Sequence, residues 1–284
     1  MLTEMTQRQR MWSAFIRNRT ALVGGLLALL IVLIAIFAPW ISPFDPLEQD
    51  PYFRLMASSS EHWLGTDDFG RDVFSRIIWG SRVSLLIGVI SVGLGMIVGT
   101  AMGMVAGYFR GKVESIIMRS VDILMCFPDL ILAIAVTAAL GSNLFNLIIT
   151  IGIVMTPRFA RLAHGSLLSL KESEYVLAAQ AIGAKAPRII VRHIFPNIFG
   201  ELLVAGTLWV GVAIRLEANL AFIGLGVQPP TPTWGNMIRE GVDVLINAPG
   251  ISVYSGLSIL ITILSFNLLG DGIRDMIDPR LRGE

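Results

Sequence analysis

"EYVLAAQAIGAKAPRIIVRHIFPN", residues 174–197, separates two apolar runs with a stretch that lipid does not tolerate. It carries Glu174, Lys185, Arg188, Arg192 and His193, and is punctuated by Gly183, Pro187 and Pro196. Ser173 stands where a helix N-cap belongs, and Tyr175, Ala178, Ala179 and Ile182 then recur at i, i+3, i+4 and i+7, on one helical face. Gly183 is expected to end that helix, Pro187 to open a second, and Pro196 to break the chain before the next apolar run. The second piece sets Arg188 and Arg192 one turn apart. The unit reads as a two-piece helical elbow with a basic flank. Two placements fit: floating at a lipid interface, or docking into a protein groove. The stripe is small and Ala-dominated, which favours the groove.

Around the elbow the chain has membrane composition. Of 284 residues, 54% are hydrophobic and 15% charged, against about a quarter charged in a soluble domain. Apolar runs of membrane-crossing length fall at roughly 20–42, 83–108, 116–140, 144–163, 199–225 and 251–271, which makes six expected transmembrane helices and an all-α integral membrane fold. The first follows the basic stretch "RQRMWSAFIRNR", is too long for a signal-peptide core and has no A-x-A site, so it reads as an uncleaved anchor.

Lys and Arg accumulate on the cytoplasmic side of membrane proteins. One orientation places Arg8, Arg10, Arg17 and Arg19, the turn with Arg110 and Lys112, the approach with Arg158, Arg161 and Lys171, the elbow, and the tail with Arg274, Arg280 and Arg282 all on one side. The opposite side holds the segment 43–82, which contains Arg54, Arg71, Arg76 and Arg82 but is rich in acid, and the loop 226–250, which adds only Arg239 with Glu240 and Asp243. Both termini and the elbow are therefore expected in the cytoplasm. The net charge of +1 gives no general attraction to nucleic acid.

In the second span, Ser91, Gly95, Gly99, Gly103 and Gly107 lay small side chains along one face, the pattern of close helix packing without a named partner. Ionisable residues inside spans are costly and suggest function. Asp129 follows Pro128 in the third span, and Arg215 and Glu217 lie inside the fifth. These three are candidates for a central pathway, with interhelical ion pairing as the alternative; Asp122 is expected to pair with Arg119. The outer stretch 62–76, with Trp63, Asp67, Asp68, Arg71 and Asp72, reads either as a self-capping turn or as a contact for an external protein. Trp234, in the Pro-rich loop 228–235, is expected at interface depth.

Several chemistries are excluded. "GYFRGKV" at 107–113 lacks the first Gly and the Ser/Thr of a phosphate-binding loop, so this chain cannot hydrolyse ATP by that machinery. "DFG" at 68–70 has no kinase context, and no G-x-S-x-G occurs. Cys126 and three scattered histidines, His62, His164 and His193, form no metal-ligand spacing.

Residues 177–196 resemble the EAA loop of ABC importer permeases, E-A-A, three residues, G, nine residues, I-x-L-P. Ala178, Ala179, Gly183 and Pro196 match in register; Leu177, His193 and Phe195 replace the Glu, Ile and Leu of the pattern, and Glu174 is a candidate for the missing Glu's polar role. "HWLGTDDFGRDVFSRIIWGSRVSL" (62–85), "IIMRSVDILMCFPDLILAIAV" (116–136), "LAFIGLGVQPPTPTWGNM" (220–237) and "FNLLGDGIRDMIDPRLRG" (266–283) resemble the C-type permease of dipeptide, oligopeptide and nickel importers. The resemblance implies a type I importer in a bacterial inner membrane, with a B-type second permease, two ABC ATPases that hold ATP and Mg, and a periplasmic substrate-binding protein. It implies a cytoplasmic tail 1–19, a first helix 20–42, a periplasmic segment 43–82, and a five-helix core 83–284. It further implies a coupling loop at 164–198, in which Glu174, Tyr175, Ala178, Ala179, Gly183, Arg188 and Pro196 would meet an ATPase. Peptides are the expected substrate, with glutathione or nickel chelates as alternatives. An ion-coupled secondary transporter is the rival of another class; it would need its own ion site and inverted repeats, and would leave the elbow without a purpose.

Overall fold

The computed structural model describes residues 18–277; Arg8, Arg10, Arg17, Arg280 and Arg282 of the two tails lie outside the described residues. Among the described residues the long elements are helices: α1 (Arg19–Ile41), α2 (Val73–Phe109), α3 (Gly111–Met125), α4 (Asp129–Leu140), α5 (Leu144–Lys171), α6 (Glu174–Ala181), α7 (Ala186–Phe222), α8 (Trp234–Asp243) and α9 (Gly250–Ile277). Local capping sets several of their starts. Asn18 accepts from the amides of Thr20 and Ala21 to open α1, Asp72 accepts from the Ser75 amide to open α2, and Asn143 accepts from the Asn146 amide to open α5.

Five helices, α1, α2, α5, α7 and α9, are long and apolar enough to cross a bilayer. The third expected span is not one straight helix: α3 and α4 meet at a 98° bend across Cys126–Pro128. Pro128 cannot donate the amide that would continue α3, and its ring disfavours helical geometry in the residue before it. At 15 and 12 residues, neither arm alone spans the ~30 Å hydrocarbon core.

Two further boundaries differ from the sequence reading. Helix α2 begins at Val73, not near 83, because Arg76 and Arg82 interrupt the hydropathy without interrupting the helix. At the other end, Pro196 does not break the chain. Residues Ile189–Ile194 form a π-helical turn inside α7, the helix continues through Pro196, and Asn197 Nδ2 donates 2.6 Å to the His193 carbonyl near the proline. Of the loop expected at 164–198, residues up to Lys171 belong to α5 and residues from Ala186 to α7.

The centre of the molecule is the α2–α5 pair. A Cβ on Gly95 would lie 2.8 Å from Met155 Cβ, one on Gly99 would meet the Thr156 carbonyl, one on Gly103 the Ala160 carbonyl, and one on Gly107 would lie 2.9 Å from Leu167. Glycine is required because these backbones touch. The contacts advance in the same direction along both helices, so α2 and α5 run parallel. The chain between them, α3 and α4, must therefore return from one end of the bundle to the other. Helix α7 packs beside this pair, with Ile214 against Gly88 and the Trp209 ring edge-on to Phe159 at 4.4 Å. Helix α1 lies on α9, where Gly24 and Gly272 admit Leu268 and Ala21.

Candidate functional site: the elbow, a buried ion cluster and charges within the apolar helices

The elbow stands on the ends of α2 and α5. Lys171 Nζ donates 2.5 Å to the Tyr108 carbonyl and lies over the Tyr108 ring, fixing both helix ends together. Ser173 occupies the N-cap position of α6, but its hydroxyl donates back to the Leu170 carbonyl instead of capping. Gly183 closes α6 with a left-handed φ of +81°; its amide donates to Gln180 and the Ala184 amide to Ala179, the paired bonds of a glycine-terminated helix.

The expected single apolar stripe divides. Val176 and Ala179 are buried against Ile189 and Ile194, while Tyr175, Ala178 and Ile182 point outward. The reason is that α6 packs on α7 through one narrow line, and the rest of its surface has no partner within this chain. That outer surface joins Leu177, 50% exposed, and Ile182, 87% exposed, to Val191 and to the exposed Lys185, Arg188 and Arg192. Glu174 and Pro196 are also exposed.

At the other end of the bundle a buried charge cluster had only part of its members singled out from sequence. Asp67 accepts from Arg71 Nε at 2.7 Å and Arg76 Nη1 at 2.5 Å, and Glu240 accepts from both arginines at 2.9 Å. Arg71 and Arg76 are 3% and 1% exposed. His62 Nδ1 lies 2.9 Å from Asp72, whose other oxygen caps α2. The charges of 62–76 are thus met partly within the stretch and partly from outside it, by Glu240 on α8 and, for Asp68, by Arg54. Arg76 and Glu240 were missed because their partners are remote in sequence. Trp234 is 2% exposed, donates from Nε1 to the Ile77 carbonyl at 3.0 Å, and begins a helix that Thr233 caps.

The intramembrane charges separate by role. Asp122 pairs with Arg161 rather than Arg119, and Asp129 pairs with Arg158. Arg158 and Arg161 sit one turn apart on α5 and hold the two arms of the α3–α4 bend. Asp129 is therefore half-exposed within an ion pair. Glu217 is 0% exposed, with Oε2 3.5 Å from Ser84 Oγ and Oε1 without a partner, in the seam between α2, α7 and the start of α8. Its own chain encloses it on this seam. Arg215, two residues away on α7, points outward instead. Among the described residues, no group of three or more His, Cys, Asp or Glu could hold a metal ion.

Parallel close-packed spans, an elbow with exposed apolar residues and a buried charge cluster at the far end define a polytopic membrane protein. Residues 99–283 match the family described as binding-protein-dependent transport system inner membrane component, and residues 6–57 match the N-terminal TM domain of oligopeptide transport permease C. The chain belongs to the binding-protein-dependent transport permease family, and it is a multi-pass permease subunit of a bacterial inner-membrane ABC importer. It is 42% identical over 278 residues to the glutathione transport system permease protein GsiD of Pectobacterium atrosepticum, covering 98% of this chain and 92% of that protein. It is 43% identical over 266 residues to the dipeptide transport system permease protein DppC of Alkalihalophilus pseudofirmus, covering 94% and 88%. The fold matches a structure of the MetNI methionine ABC transporter with TM-score 0.60 and 18% identity, over 72% of this chain and 97% of that one.

Proposed function

We propose that this permease carries short peptides inward, in a complex with a second permease, two ATPases that hold ATP and Mg, and an external binding protein. The observation that carries the reading is the elbow: an apolar and basic surface at 174–192, anchored at its base and uncovered on its outer side. Closure of the ATPase pair on ATP would push this surface and rock the helices between inward-open and outward-open states. Glu174, Tyr175, Leu177, Ala178, Ile182 and Arg188 form the contact; Ala179, Gly183 and Pro196 shape it.

Six crossings, with both termini and the elbow in the cytoplasm, fit the parallel α2–α5 pair, since the bent α3–α4 segment then makes one broken crossing. The Arg and Lys clusters agree with that orientation. The segment 43–72 and α8 then lie on the periplasmic side. Peptides as cargo draw on relatives named for dipeptide and glutathione transport, glutathione being itself a tripeptide.

The test is to tag the chain, extract it in mild detergent, and reconstitute what copurifies in liposomes. A second permease and two P-loop ATPases, with ATP-dependent uptake of alanyl-alanine or glutathione once the binding protein is added, is the expected result. Uptake by this chain alone without ATP would overturn it.

A further inference from the structure

Helix α7 has two uncovered faces on opposite sides. One carries Phe199 and Leu203, 40% and 42% exposed, and suits acyl chains. The other carries Asn197, Glu201, Ala205, Val212, Arg215 and Asn219, each exposed or half-buried. At 100° per residue these six fall within an arc of ~80° along the helix. Leu208 lies in the same arc, half-buried and close to Gly270 of α9, so the stripe borders α9 there. Its middle is apolar and its ends are polar.

The charges on this stripe are uncommitted. Among the described residues neither Glu201 nor Arg215 makes an ion pair, in contrast to Arg158 and Arg161 on the neighbouring helix. Glu201 is nevertheless held in place, accepting 2.6 Å from Ser166 Oγ. It borders a cavity of about 500 Å³ between α5 and α7, lined also by Arg161, Ser166, Ser169 and Asn197, on the elbow side of the bundle. That volume lies in the range of small-molecule sites. An unpaired Arg in a membrane helix does not face lipid.

We propose that this stripe is the chain's share of the translocation path and that it handles a zwitterionic peptide by its two ends: Arg215 takes the carboxylate near the outer mouth, and Glu201, oriented by Ser166, takes the ammonium group in the inner cavity. Fourteen residues of helix separate the two, a rise of ~21 Å. A dipeptide backbone extends only ~7 Å, so it meets the charges in succession rather than together. The uncharged middle offers no strong site between them, which lets the substrate leave. This inference rests on the peptide-importer reading.

The experiment uses the assembled complex in liposomes, in a Cys126→Ser background, with single variants Ala205→Cys, Val212→Cys and Leu203→Cys. A charged methanethiosulfonate reagent should modify the first two at least about tenfold faster than the third, and alanyl-alanine delivered by the binding protein should slow both. Slow modification of Ala205→Cys and Val212→Cys, as expected if the stripe is sealed against the second permease, overturns the proposal. So does equal reactivity at Leu203→Cys. In a second arm, Glu201→Gln should lower alanyl-alanine uptake about tenfold per assembled complex while Glu201→Asp recovers most of it, the loss expected for one charge-assisted contact. Unchanged uptake by Glu201→Gln removes the ammonium role. If the unmodified complex shows no ATP-driven peptide uptake, the peptide-importer reading fails; if it transports but the labelling pattern is absent, only the stripe fails.

Discussion

Arg76, near the start of α2, reaches Glu240 on α8 at 2.9 Å while its other nitrogen holds Asp67, so one guanidinium joins the segment before the second span to the loop before the last. Removing one partner of a buried pair leaves the other charge desolvated, which costs about 3 kcal/mol or more. Arg76→Met should therefore lower the thermal unfolding midpoint of the purified subunit markedly. Glu240→Gln, at a site 26% exposed, should cost less. Equal midpoints for all three proteins would contradict a structural role for the cluster.

The α2–α5 contact leaves no room for a side chain at Gly99, where a Cβ would meet the Thr156 carbonyl and lie 2.8 Å from Phe159 Cβ. Gly99→Val should destabilise by about 3 kcal/mol and reduce the yield of monodisperse protein. Gly93, on the same helix, has nothing within 4 Å of its Cβ position. Gly93→Ala should be neutral or stabilising by up to ~1 kcal/mol. Size-exclusion profiles and unfolding midpoints of the pair check both.

Ile182 and Leu177 lie on the uncovered side of the elbow and touch little of their own chain. Ile182→Asp and Leu177→Asp should leave the unfolding midpoint of the isolated permease within about 1 °C while weakening ATPase association about tenfold or more, as removal of a central apolar contact does. Titrating the ATPase against the permease in nanodiscs gives the affinity. Undiminished affinity would take the elbow out of the contact.

The ion pairs at the α3–α4 bend predict compensation. Arg158→Asp should impair transport by placing two acids together, and Arg158→Asp with Asp129→Arg should restore a large part of it. Both side chains are about a third exposed, so the stability change of either single variant should stay near 1 kcal/mol. Failure of the double variant to recover activity would show that the pair does not act as a unit.

The elbow was readable in advance because its signals are local. Gly183 can adopt the positive φ that ends α6, and Pro187 opens the next turn, whatever lies around them. Pro196 was misread for the complementary reason: whether a proline breaks a helix depends on whether the preceding turn can widen, and the π turn at Ile189–Ile194 buries Ile189 and Ile194 in the main core, among residues remote in sequence. The glycine row of α2 announced a close contact but could not name α5. Glu217 and Arg215 looked alike as charges inside a span, yet one is sealed against Ser84 and the other faces outward.

Composition, apolar run length and the bias of Arg and Lys determined by themselves that this protein is helical and membrane-spanning with a polar elbow between two apolar runs, since each of these is a sum over neighbours along the chain; that it is a permease was legible only through the resemblance of 177–196 and the other motif stretches to a known family. The start of α2, the sharp bend at Pro128, the buried charge cluster and the residues that reach an open surface were decided by tertiary structure. Their energies depend on partners far away in sequence: Asp67 and Glu240 for Arg76, Arg158 for Asp129, and Ser166 for Glu201.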